Sequence, residues 1–158
     1  MKLSGSTTEG KSTLGKLFVN LLMGFDYLEG QHHTKDLFIR AAATPILPLD
    51  NVESFHLRGG LLTFLLWIVT GIISSRRKLW TDSTIIKDQP RCFVFTTSIE
   101  PYSYPELINR CLDVPVSKTS HGNPGFDEME CLEKILRNRD LILSAVFKLI
   151  ATEILPAL

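Results

Sequence analysis

Eight consecutive residues, Gly5-Ser6-Thr7-Thr8-Glu9-Gly10-Lys11-Ser12, carry the most specific chemistry in this sequence. Their pattern is G-x-x-x-x-G-K-[ST], a spacing that suits a loop wrapped around phosphate. Gly5 and Gly10 let the backbone turn and approach an anion closely. The amides of Thr8 through Lys11 then point into one concavity. Lys11 would reach the β- and γ-phosphates, the Ser12 hydroxyl would serve Mg²⁺, and Thr13 beside it would be a further nucleotide-binding residue. A helix starting near Lys11 adds its positive N-terminal end. The plain alternative is a Ser/Thr/Gly-rich turn that caps an ordinary helix.

A phosphate loop needs a second acidic group for Mg²⁺ at the tip of a neighbouring strand. Asp50 fits, because it ends the apolar run Pro45-Ile46-Leu47-Pro48-Leu49. Hydrolysis also needs a group that orients or deprotonates water. Many such ATPases place a glutamate directly after the aspartate; here Asn51 stands there and Glu53 is the nearest glutamate. If 51–56 is helical, Asp50 and Glu53 share a face; equally, Asp50 and Asn51 could cap that helix with Glu53 completing a capping box.

Thr96, Thr97 and Ser98 leave the apolar stretch Arg91-Cys92-Phe93-Val94-Phe95. One of them would lie beside the γ-phosphate if that strand runs between the loop strand and the Asp50 strand; otherwise they are a solvated strand end. Arg110 closes the helix after it, where a guanidinium suits a transferring phosphoryl group or a surface ion pair. Arg76, Arg77 and Lys78, with Trp80 nearby, suit a nucleic-acid backbone and a base face, or a solvated turn. His32, His33 and His121 have no partners at metal-ligand spacing.

The elements that must hold these groups follow from periodicity. Leu14, Leu17, Phe18, Leu21 and Leu22 predict a helix from Ser12 to Met23 that stops at Gly24. Thr34 caps a helix over 35–43. The run 45–49 reads as a buried parallel strand, although Pro48 removes a ladder donor. Gly59-Gly60 precedes an apolar helix over 61–73, a hairpin is expected over 76–87, and a strand over 91–98. Pro105 opens a short helix to Arg110, and 112–116 is a further strand. The loop 117–125 marks a boundary. Two helices, 127–138 and 139–155, are expected beyond it. The class is α/β, with a parallel central sheet flanked by helices, a core over 1–116 and a C-terminal helical pair over 117–158 as a small lid.

Composition narrows the function classes. Lys plus Arg equals Asp plus Glu at 17 each, so any basic site must be local. Three scattered cysteines without C-x-x-C spacing argue for reduced thiols in the cytoplasm and against a zinc module. The run 61–73 is short for a bilayer, so no membrane partner is expected. No signal peptide fits an N-terminus occupied by the loop.

Taken in order, the phosphate loop, Leu49-Asp50-Asn51-Val52-Glu53, the apolar helix, Arg-Arg-Lys-Leu-Trp-Thr-Asp, Phe-Val-Phe-Thr-Thr-Ser and Glu-Leu-Ile-Asn-Arg-Cys-Leu resemble an AAA+ P-loop ATPase of the helicase-like kind found in phages and mobile elements. The resemblance covers roughly residues 3–116. It implies that Gly5 to Ser12 form Walker A, Asp50 the Walker B aspartate and Thr97 the sensor-1 position. Arg110 becomes an arginine finger offered to a neighbouring subunit, and Arg76 to Lys78 a basic hairpin facing a central pore. Arg139 faintly resembles a sensor-2 arginine. The implied activity is Mg²⁺-dependent ATP hydrolysis by a homo-oligomeric ring, a hexamer, acting on single- or double-stranded DNA.

Two departures bear on this. Asn51 replaces the usual glutamate, which affects hydrolysis more than binding. Only Met1 to Ser4 are available for the first strand, so either a fragment of a longer ATPase or a late start with a shortened or borrowed strand is expected. The rival expectations are a nucleotide-binding module with little hydrolysis, a P-loop enzyme of another kind such as a small kinase, and an interaction protein that docks through helix 61–73.

Overall fold

Phe93 to Thr96 alternate aromatic and β-branched residues, and the strand they open becomes an inner strand of the sheet. The structure, a computed structural model, describes residues 1–25, 34–77, 85–117 and 126–157. In chain order the elements are β1 (Lys2–Ser4), α1 (Lys11–Met23), α2 (Thr34–Ala43), β2 (Ile46–Leu49), α3 (Gly60–Thr70), β3 (Ser74–Arg77), β4 (Ile85–Asp88), β5 (Phe93–Ser98), α4 (Pro105–Ile108), β6 (Asp113–Pro115) and α5 (Glu128–Leu149). Four strands form one parallel sheet in the order β2-β5-β1-β6. The pair β3-β4 forms a separate antiparallel hairpin. The class is therefore α/β, with a small parallel sheet flanked by helices.

The first strand is short, at three residues, yet both its edges are paired. Leu3 lies opposite Thr97 on one side and Val114 on the other. All four residues of β2 are buried, and among the described strands β2 pairs only with β5. That edge position accommodates Pro48, since a proline on an edge strand leaves no inter-strand bond unmade on its outer side.

Alternation along β5 sends side chains to two helical layers. Phe93 and Phe95 face α1, where Phe18 packs at ring distances of 6.5 and 6.0 Å. Val94 faces the larger core of Leu37, Leu47, Leu49, Leu61, Phe64, Leu65 and Leu107. Helix α2 locks onto α3 through Phe38, edge-on to Phe64 at 4.9 Å. The apolar helix is thus explained partly by burial: Leu61, Phe64 and Leu65 are buried, while Val69 and Trp67 reach the surface. No helix among the described residues is long and apolar enough to cross a membrane.

The C-terminal segment differs from the expected helical pair. Glu128 to Leu149 are one uninterrupted helix, followed by a π-helical turn (Ile150–Ile154) and a 3-10 turn (Leu155–Ala157). Nothing near 138–139 breaks it: there is no Gly or Pro, and the Asn138 amide bonds back to the Lys134 carbonyl at 2.8 Å, inside the helix. Asp127 is its N-cap, accepting from the amides of Met129 (2.8 Å) and Glu130 (3.3 Å). The helix runs beside α1 in the same direction. Glu128 meets Thr13 and Lys16 near the start of α1, and Arg139 caps its end by donating to the carbonyls of Leu21 and Leu22, each at 2.8 Å. Arg139 is therefore a helix-end cap, at the end of α1 away from the loop.

Candidate phosphate-binding site

The loop joining β1 to α1 lies at the carboxyl edge of the parallel sheet, where α/β folds place their ligands. Gly5 is required by close approach: a Cβ there would run into the Val116 carbonyl and the Glu9 carboxylate. Glu9 ties the loop's beginning by accepting the Ser6 amide at 2.5 Å. Thr8 and Gly10 take left-handed conformations with φ of 67° and 80°. Gly10 provides a carbonyl for the Leu14 amide at 2.8 Å, and α1 begins at Lys11. Thr8 to Thr13 line an open concavity of about 300 Å³. The Lys11 side chain is buried and curls over the loop, donating to the carbonyls of Gly5 at 2.8 Å and Ser6 at 2.6 Å.

Asp50 follows β2 and faces the start of α1. The Ser12 hydroxyl lies 2.9 and 3.2 Å from the two oxygens of its carboxylate. Because β5 runs between β1 and β2, the tip of β5 falls between loop and carboxylate. Of the three hydroxyl residues there, Thr97 alone faces Asp50, donating to Oδ1 at 2.5 Å and accepting the Asn51 amide at 2.8 Å. Thr96 points to the other face and meets the Tyr102 hydroxyl at 2.8 Å. Ser98 lies within hydrogen-bond distance of Glu53 and of the Glu100 carbonyl. Asn51 holds φ 56°, a conformation asparagine tolerates better than most residues, and its side chain is exposed beside Asp50.

Glu53 makes its contacts with the turn that leaves β5. Residues 51–57 form turns and no helix, so Asp50 and Glu53 are not presented on one helical face. The Glu53 carboxylate is buried and accepts the amides of Ile99 at 2.8 Å and Glu100 at 3.2 Å, with the Ser98 hydroxyl at 3.1 Å. It anchors the turn that leaves β5. Arg110 pairs with Glu106 at 3.5 Å. It precedes β6 at the amino edge of the sheet, so it stands opposite the 5–12 loop of its own chain.

The backbone of Arg76 and Arg77 lies in β3, and the hairpin is tied at its base by the Gln89 amide donating to the Gly71 carbonyl at 2.9 Å. Lys78 and Trp80 fall outside the described residues, as do His32, His33 and His121. Among the described residues, no three His, Cys, Asp or Glu side chains group as a metal-binding cluster.

A second cavity, about 400 Å³, adjoins the loop. It shares Thr8, Glu9, Gly10 and Thr13 with the first and is walled by Leu14, Leu17, Val116 and Phe126. Glu128 lines neither cavity but meets their shared residue Thr13, its Oε2 accepting from the Thr13 hydroxyl and its Oε1 from Lys16, both at 3.0 Å. Those hydrogen bonds, from Lys16 first and Thr13 second, hold its carboxyl below the ordinary value. Sequence reasoning missed Glu128. Its position after the N-cap Asp127 was readable, but its partners lie 115 and 112 residues away.

No family model matches this chain, and no curated protein matches it.

Proposed function

We propose that this chain is an AAA+ type P-loop ATPase domain, binding Mg²⁺·ATP on the 5–12 loop and hydrolysing it in an assembly that acts on DNA. The observation that carries this reading is the convergence of Ser12 and Thr97 on Asp50 beside the Lys11 loop. Hydroxyl and carboxylate are hard oxygen donors. They suit Mg²⁺, which needs one or two carboxylates plus phosphate oxygens and keeps several waters. Bound there, Mg²⁺ would neutralise charge on the β- and γ-phosphates. The apolar cavity favours a nucleotide over bare phosphate, since it offers a base a surface next to the cradle.

Each side chain then has a task. Lys11 exchanges the carbonyls of Gly5 and Ser6 for phosphate oxygens and brings a compact positive charge to them. Thr97 reads the γ-phosphate end from its post between Asp50 and Asn51. With the Glu53 oxygens committed to the β5 exit turn, orienting the attacking water falls to Asn51. A carboxamide orients water without taking its proton, so turnover is expected to be slow. The same pair of observations favours a second reading, a module that binds nucleotide to hold an assembly and hydrolyses it negligibly.

Arg110 stands at the sheet edge away from its own loop, so a role at nucleotide requires a neighbouring copy, as in a ring. The β3-β4 hairpin with Arg76 and Arg77 would face the DNA. Steady-state ATP hydrolysis measured across protein concentrations, with and without single-stranded DNA, tests the whole reading. Turnover per subunit that rises with concentration, is stimulated by DNA and vanishes in Lys11→Ala and Arg110→Ala supports it. Turnover independent of concentration would point to a monomeric P-loop enzyme, and nucleotide binding without turnover to the holding module.

A further inference from the structure

Two cavities meet at the loop. The polar one follows Thr8 to Thr13; the apolar one runs on to Leu17, Val116 and Phe126. Thr8, Glu9, Gly10 and Thr13 belong to both. A nucleotide with phosphates in the first and base in the second must carry its sugar across that shared strip. Glu128 is fastened to the strip through the Thr13 hydroxyl at 3.0 Å. A carboxylate has about four acceptor positions, and the bonds from Thr13 and Lys16 take two of them. The side chain is 34% exposed, so part of the carboxylate stays accessible from outside. Its backbone is fixed in the first turn of α5 by the Asp127 cap.

We infer that Glu128 reads the ribose hydroxyls of the bound nucleotide, so that the site takes ribonucleotides in preference to 2′-deoxyribonucleotides. This rests on the nucleotide-binding reading above. A vicinal diol presents two O–H donors, and O–H bonds to an ionised carboxylate are among the stronger hydrogen bonds. A 2′-deoxy sugar lacks one donor and leaves an acceptor position unfilled. Sites that hydrogen-bond a substrate hydroxyl discriminate against the analogue that lacks it. Glu128 is ionised, and hence acceptor-only, at neutral pH, its carboxyl lying below the ordinary carboxylate value.

The test is a calorimetric titration of Mg²⁺·ATP and Mg²⁺·2′-dATP into the wild type, Glu128→Ala, Glu128→Gln and Lys16→Met. The wild type should prefer ATP by roughly tenfold, the factor for one hydrogen bond to a partly exposed charged group. Glu128→Ala should bind both alike. Glu128→Gln keeps the side-chain length against α1 and should show a reduced preference. Lys16→Met loses the α1–α5 ion pair but keeps the carboxylate, and should retain the preference. Equal affinities in the wild type, or an undiminished preference in Glu128→Ala, would overturn the inference while leaving nucleotide binding intact. Failure of the wild type to bind either nucleotide would overturn both.

Discussion

Replacing Thr97 by valine removes one hydroxyl and keeps the side-chain shape, so it isolates the bonds that draw the tip of β5 to Asp50. Thr97 is only 2% exposed, which leaves little room for water to take its place. The Asn51 amide loses its acceptor at 2.8 Å, and orphaning this part-buried donor costs about 1–3 kcal/mol. Asp50 loses a donor at 2.5 Å but keeps the Ser12 hydroxyl at 2.9 Å and some contact with solvent, so that loss is worth about 1 kcal/mol. The sum is about 2–4 kcal/mol. An unfolding entropy of about 2.1 cal/mol/K per residue gives a chain of 158 residues about 3 °C per kcal/mol, hence a fall in Tm of about 6–12 °C. Urea unfolding at equilibrium measures the loss directly. Thr97→Ser, which keeps the hydroxyl, should lose less than half as much. A Thr97→Val protein within about 0.5 kcal/mol of the wild type would refute the bridge, because neither bond would then contribute.

Glu53→Gln should lower stability by about 2 kcal/mol, since its new amide group would confront the donors of Ile99 and Glu100; unchanged stability with abolished turnover would instead make Glu53 the water-activating base. Glu128 titrates below its ordinary value of 4.5 in the folded chain, so its contribution is complete above pH 4.5 and is lost as pH falls through the lower folded value. The stability difference between wild type and Glu128→Gln should therefore hold constant from pH 7 to 5 and shrink in more acid solution; a difference that grows on acidification would contradict the clasp. Burial pushes the Cys92 thiol up to about 11 from 9.0. Its alkylation by iodoacetamide at pH 8 should run roughly 100-fold slower than that of a free thiol, and a rate near the free value would show that the site opens readily.

What the sequence made legible is what lies within a few residues of itself. The loop is contiguous, so its turns, its lysine and its helix follow from residues 5 to 22 alone. Asp50 and Thr97 were legible as strand exits, but their meeting depends on β5 lying between β1 and β2. That order is set by pairings such as Leu3 with Thr97 and Leu49 with Thr96, which no local pattern encodes. Pro48 looked like an argument against a buried strand until β2 proved to lie at the edge of the described sheet. Glu53 was misjudged in its surroundings because its three donors come from 98–100, brought alongside by the fold. The expected break near Asn138 had no Gly or Pro to enforce it, and α5 runs on.

The most direct measurement is calorimetric titration of Mg²⁺·ATP into the wild type, Lys11→Ala and Asp50→Ala, repeated with the metal chelated. Saturable one-to-one binding is predicted for the wild type. Lys11→Ala should weaken it by about 10- to 100-fold, in line with losing a charge-assisted contact to phosphate at a partly enclosed site. Asp50→Ala should remove the dependence of affinity on Mg²⁺ while leaving metal-free binding in place. Wild-type protein that takes up no nucleotide, or Lys11→Ala protein that binds as tightly as the wild type, would contradict the assignment of the 5–12 loop as a phosphate cradle.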